Sequence, residues 1–174
     1  MDKVSINKNM HLSEHFQLGE LCKTSVKTED GNIPSHVAIE NLKNICENWL
    51  EDLREQYNEK YCSKEIMNNE QRNKDRSNDE EPIIITSGYR SPEVNKAVGG
   101  SPTSNHLTGC AVDIRCIGIE QAIRYASILL DIADGTKRDY DELLIERSPK
   151  GAYWIHFAVR PKNNRRKTAV ILKG

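Results

Sequence analysis

No stretch of the 174 residues approaches the roughly 18 consecutive apolar residues that a membrane span requires. Charge of one sign is missing too: 25 Lys and Arg stand against 26 Asp and Glu, a formal net charge of -1. That balance gives no bulk field for gripping nucleic acid or an anionic membrane, and no nucleic-acid reading motif is present. Met1 to Met10 lack a basic start followed by an apolar stretch, so no secretory signal is expected. Five cysteines, Cys22, Cys46, Cys62, Cys110 and Cys116, are odd in number and have no CxxC spacing. They argue against a disulfide framework and an all-cysteine zinc site, and read as reduced thiols of a protein made in a cytosol. There is no internal repeat. What is there, 37% hydrophobic and 29% charged residues, suits one soluble domain over 1–174 with a modest core.

Apolar spacing divides the chain into elements. Leu42, Ile45, Trp49, Leu50, Leu53 and Tyr57 recur at three- and four-residue steps, which predicts an amphipathic helix from Ser35 to Tyr57. A shorter helix is expected from His11 to Cys22. Residues 58–81 are dense in Asn, Lys, Glu, Asp and Arg, and read as a polar, mobile insertion with a short helical piece near 64–70. Ile83, Ile84 and Ile85 predict a buried strand. Ser91, Pro92 and Glu93 open a short helix that Gly99 and Gly100 end. Cys110 to Cys116 reads as a strand. Gly118 to Asp134 reads as a second amphipathic helix, with Ile119, Ala122, Ile123, Ala126, Leu129, Leu130 and Ala133 on one side. Asp141 to Glu146 and Tyr153 to Val159 form a hairpin, and Thr168 to Leu172 a last strand. The fold class is α+β, with N-terminal helices packed on a mostly antiparallel sheet.

The chemistry concentrates between Ser104 and Asp113. His106 precedes the strand, and Ala111, Asp113 and Arg115 share one of its faces because side chains alternate. Gly109 lets the backbone turn closely, so His106 can swing over Asp113. In the next hairpin, Tyr153, Ile155, Phe157 and Val159 are core-like, while Trp154, His156 and Ala158 take the other face. His106, Asp113 and His156 thus offer three ligands to zinc and leave a fourth position open, the pattern of a catalytic rather than a structural site. A hydrolytic site also needs a base. Glu146, ending the strand before the hairpin, is the first candidate, ahead of Asp141 and Glu142. Trp154 reads as a cleft wall against substrate.

Ser104-x-His106-x-x-Gly109-x-Ala111-x-Asp113 resembles the zinc signature of the peptidoglycan-cleaving D-Ala-D-Ala carboxypeptidases and L-Ala-D-Glu endopeptidases, which share the hedgehog/DD-peptidase fold. Thr86 to Pro92 with Asn95 and Gly99-Gly100, and Trp154-Ile155-His156, resemble the same family. The resemblance runs from about Phe16 to the end, interrupted by 58–81. It implies that His106, Asp113 and His156 bind one zinc per chain. It further implies that Arg90 binds substrate near the metal and that Ser104 makes a hydrogen bond to a ligand or to substrate. Many relatives carry an acid three residues before the last histidine. Tyr153 stands there, whereas the hedgehog-like branch places its glutamate on the preceding strand, where Glu146 lies.

The resemblance therefore implies a zinc-dependent peptidase acting on the peptide stem of bacterial peptidoglycan, with zinc-bound water as nucleophile and Glu146 as general base. A phage or prophage cell-lysis enzyme would look like this: made in the cytoplasm, acting on the wall once released, a monomer with no nucleic-acid partner and no stable membrane association. The alternative is a catalytically weak, zinc-containing cell-wall-binding module of the hedgehog-like type. His11, His15 and His36 read as ordinary surface or core-edge residues. Cys110 and Cys116 read as core thiols, and Arg160, Lys162, Arg165, Arg166 and Lys167 as a solvated turn.

Overall fold

A computed structural model describes residues 7–62 and 80–172. The five strands are β1 (Ile85–Ser87), β2 (Ala111–Cys116), β3 (Glu142–Arg147), β4 (Tyr153–Ala158) and β5 (Lys167–Leu172), in the sheet order β1-β2-β4-β3-β5. Three of the four pairings are antiparallel, and β5 runs parallel to β3. The α+β class and the mostly antiparallel sheet agree with the sequence reading.

Helices cover one face of this sheet. After α1 (Leu18–Leu21) come α2 (His36–Ile45), a π-helical turn (Cys46–Leu50), α3 (Glu51–Tyr57) and a second π turn (Asn58–Cys62) in one continuous rod. Ser35 starts it, its side chain accepting from the Ala38 N–H. All six apolar residues named for this helix are buried. Trp49, on the first π turn, lies 5.1 Å from the Phe157 ring and 6.4 Å from Tyr140. The expected helix over His11 to Cys22 shrinks to α1, because a β-bridge between His11 and Gln17 holds the stretch before it.

After the short α4 (Pro92–Ala97), the second long helix, α5 (Gly118–Thr136), buries Ala122, Tyr125, Ala126, Ile128, Leu129, Ile132 and Ala133. Ile119 and Ile123 are instead 41% and 55% exposed. They sit about 80° to 120° round the helix from Leu129, at the rim of the buried stripe. The three isoleucines that lead into β1 also divide: Ile83 and Ile85 are buried and Ile84 is 42% exposed. Alternation along the extended chain turns Ile84 to the other side.

The polar excursion is closed by its ends. The Asn58 carboxamide donates to the Glu81 carbonyl at 2.9 Å and accepts from the Glu81 N–H at 2.6 Å. Arg54 pairs with Glu80 at 2.6 Å. The helical piece expected near 64–70 lies outside the described residues.

Strand alternation separates core from site. Val112, Ile114, Leu143, Ile145, Ile155 and Phe157 join the helices in one apolar cluster. The opposite face carries Ala111, Asp113 and Arg115 of β2, Trp154, His156 and Ala158 of β4, and Glu142, Leu144 and Glu146 of β3. The loop entering β2 is pressed against α2: Gly109 has φ +70, and a Cβ there would lie 2.3 Å from the Ala38 carbonyl oxygen. Gly109→Ala should therefore destabilise the fold by about 2 kcal/mol or more, from left-handed strain plus this clash. Urea denaturation, read as a lower midpoint at unchanged slope, checks it.

Candidate metal centre

His106 is locked before it presents a ligand atom. Ser104 caps a short 3-10 turn (Asn105–Thr108), its hydroxyl oxygen accepting from the His106 N–H at 3.3 Å. The His106 ring is buried, and its Nδ1 lies 2.6 Å from the Gly88 carbonyl oxygen. A carbonyl only accepts, so the ring proton sits on Nδ1 and the lone pair is at Nε2.

His156 is fixed in the opposite sense. Its Nε2 lies 3.2 Å from Glu142 Oε2. The hydrogen bond from His156 holds the Glu142 carboxyl down at about 2, against the opposing effect of burial. An ionised carboxylate only accepts, so Nε2 carries the proton and Nδ1 faces Asp113, its partner across β2 and β4.

Both free ring atoms converge on one oxygen. Asp113 Oδ1 lies 3.3 Å from His106 Nε2 and 3.1 Å from His156 Nδ1. All three potential ligand atoms lie within 4.8 Å of one another. The other oxygen, Oδ2, accepts from Arg90 Nη2 at 2.5 Å, and Arg90 Nε donates to Ser87 Oγ at 2.8 Å. With both imidazoles neutral, three acceptors therefore face one another without a donor, and only a cation relieves that arrangement. Ligand atoms held at about 2.0–2.1 Å by a tetrahedral ion lie about 3.3 Å apart. The spacings at Asp113 fit zinc.

Without a metal, a proton performs the same task. Burial alone would lower the His156 pKa, but hydrogen bonds to Asp113 and Glu142 raise it to about 9. Burial would raise the Asp113 pKa, yet the His106 charge and the hydrogen bonds from both imidazoles hold it well below the usual carboxylate range.

The remaining residues named from the sequence fall in distinct places. Glu146 stands on the same face as the three ligands, opposite Trp154. Its carboxylate has no hydrogen-bond or ion-pair partner among the described residues. Tyr153 points to the other face, where the Arg147 guanidinium lies 5.9 Å from its ring centroid. Arg90 and Ser104 contact the ligands themselves, Arg90 through Asp113 and Ser104 through the His106 backbone. Asp141 is fully buried and held by Arg160 at 3.0 Å and Arg165 at 2.7 Å.

Two features escaped the sequence reading. One is Glu142 as the carboxylate behind His156, with Asn105 bridging it to Asp141. The other is the set of ion pairs made by the basic turn, which is solvent-exposed as the sequence suggested. Arg160 and Arg165 neutralise Asp141, Arg166 meets Asp134 and Asp139, and Lys167 reaches Glu142 at 3.3 Å. A fully buried carboxylate requires such partners. The sequence reading weighed Glu142 only as a weaker candidate for the base, and nothing in the spacing gave its partner.

Comparison with known families finds that the one described as Peptidase M15 matches residues 14–136. The chain belongs to the peptidase M15 family. Peptidases of this family are zinc-dependent. The match includes His106 and Asp113 and ends before His156, so the third ligand is assigned by the geometry of the M15 chain itself. A comparison with curated proteins found no match.

Glu142→Ala should weaken zinc binding by about 10- to 100-fold, with Glu142→Gln milder because its amide oxygen still accepts from Nε2. Competition with a chromophoric chelator measures this. The raised His156 pKa also sets a pH signature. With zinc chelated, its contribution to stability is complete below about 6.5. That contribution is lost as pH rises through about 9. Zinc binding displaces the same proton, so affinity climbs across that window. Thermal denaturation against pH, with chelator and with zinc, reads both trends.

Proposed function

We propose that this M15 chain is a zinc peptidase that hydrolyses the peptide stem of bacterial peptidoglycan, on a hedgehog/DD-peptidase-like fold. The observation that carries the reading is the convergence of His106 Nε2, His156 Nδ1 and Asp113 Oδ1 on one point, on a face that also bears a carboxylate, Glu146, unpaired among the described residues.

When bound, zinc supplies a Lewis acid that polarises a scissile carbonyl and acidifies water. His106, Asp113 and His156 hold the ion. Arg90 fixes the carboxylate of Asp113 so that a single oxygen turns to the metal. Glu146 is two residues along β3 from Leu144, the cross-strand partner of His156. That is about 6.6 Å of strand, within a side chain's reach of the ligands. Free of any ion pair among the described residues, Glu146 serves as general base and returns the proton to the leaving amine. Tyr153, on the other face, takes no part. Trp154 lies between Glu146 and Arg115 and walls the cleft.

The cleaved bond is D-Ala-D-Ala or L-Ala-D-Glu, and a phage or prophage lysis enzyme is the role we assign. Mass spectrometry of purified cell wall digested with and without chelator identifies the bond and the metal dependence together. Release of the same fragments with chelator present would refute the metal mechanism. Retention of wall fragments without cleavage would favour the binding-module alternative.

His106→Ala and His156→Ala should each lose zinc and activity together. Glu146→Gln should keep zinc and lose turnover by about 10²- to 10⁴-fold. Metal analysis beside the rate assay separates these outcomes, and an active Glu146→Gln would place the base elsewhere.

A further inference from the structure

The metal face carries a second charge with no partner among the described residues. Arg115 follows Asp113 by two residues on β2, so its side chain leaves the sheet on the same side as the ligands. It is exposed, in a strand whose other five residues are buried. Every other described arginine is engaged. Arg54 pairs with Glu80, Arg90 with Asp113, Arg124 with Glu120 and Arg166 with Asp134. Arg160 and Arg165 hold Asp141, Arg138 donates to the Asn48 carbonyl, and Arg147 lies over the Tyr153 ring. Among the described residues the Arg115 side chain has no hydrogen bond, ion pair or ring contact.

Its place in the sheet gives this isolation a meaning. One cross-strand row holds Asp113, His156 and Leu144, and the next holds Arg115, Trp154 and Glu146. The adjacent row thus sets a cation and a carboxylate on either side of an indole. Their strands are two spacings apart, about 9.6 Å, too far for direct pairing of the backbone-anchored groups without bending over Trp154. Arg115 lies about 6.6 Å of strand from Asp113, a distance of two residues of extended peptide. Arg90, the arginine the sequence suggested for substrate, has Nε on Ser87 and Nη2 on Asp113.

We propose that Arg115 is a specificity-determining residue of this site, its guanidinium binding a substrate carboxylate within about two residues of the scissile bond. This rests on the peptidase reading above. A planar donor fork suits a carboxylate and is poorly matched to the corresponding carboxamide. Two carboxylates of a stem peptide meet the distance: the C-terminal one of D-Ala-D-Ala and the α-carboxylate of γ-linked D-Glu.

The test uses the zinc-loaded full chain and the pentapeptide L-Ala-γ-D-Glu-L-Lys-D-Ala-D-Ala in three forms: both carboxyls free, the D-Glu α-carboxyl amidated, and the C-terminus amidated. Wild type should prefer one free carboxylate over its amide by about 10- to 100-fold in kcat/KM. Arg115→Ala should abolish that preference through KM, with kcat and zinc content little changed, and Arg115→Lys should restore part of it. The amide that wild type disfavours identifies which carboxylate is bound. Equal losses on acid and amide forms, or no preference in wild type, would overturn the role of Arg115. A zinc-loaded wild type that cleaves none of the three would overturn the peptidase reading first, and this assignment with it.

Discussion

Both oxygens of Asp113 are committed, and the site depends on that. Oδ1 faces two imidazole nitrogens and Oδ2 faces a guanidinium. A buried carboxylate is costly unless each lone pair has a partner, and here the partners come from three separate segments. Arg90 follows β1, His106 comes from the turn before β2, and His156 from β4. β2 is an interior strand, paired with β1 on one side and β4 on the other, so the carboxylate stands on backbone held from both edges. Each segment would have to move for the ligand spacing to change. Zinc coordination tolerates little such movement.

The support behind the ligands is as ordered as the ligands. Gly88 gives its carbonyl to His106, and Glu142 gives its carboxylate to His156, so one ring presents Nε2 and the other Nδ1. Glu142 in turn is held by Asn105, Arg165 and Lys167. The basic turn after β4 therefore braces the candidate ligand His156 through Glu142 on β3. This half of the machinery lies beyond residue 136, where the family match ends, and is built by the β3–β4 hairpin and the parallel β5.

What the sequence made legible follows a physical rule. His106, Asp113 and His156 were found because a metal site fixes ligand type and spacing, and because period-two alternation places Asp113 and His156 on one face. Gly109 was legible because a turn packed on the Ala38 carbonyl leaves no room for a side chain. The partners of Arg90, Glu142 and Asp141 were not. Long polar side chains choose partners by tertiary proximity, and no local period encodes that. The π turns of the long helix were hidden because three- and four-residue steps fit either helix. Ile119 and Ile123 misled for a related reason. A stripe drawn from apolar identity alone took in the rim and left out Tyr125, Ile128 and Ile132, which the helix buries beside Ala122, Ala126, Leu129 and Ala133.

The charges of the metal face can be followed to their ends. Of its charged groups on β2, β3 and β5, Asp113 is matched by Arg90 and Glu142 by Lys167 and Arg165. Glu146 and Arg115 have no counter-ion among the described residues. A fold that pairs even its fully buried Asp141 with two arginines had the means to neutralise these two as well. Paired, the carboxylate would hold its proton-transfer site against a cation, and the guanidinium would present no fork to an incoming anion. Left apart across Trp154, each keeps the capacity proposed for it: one to accept a proton, the other to bind a carboxylate.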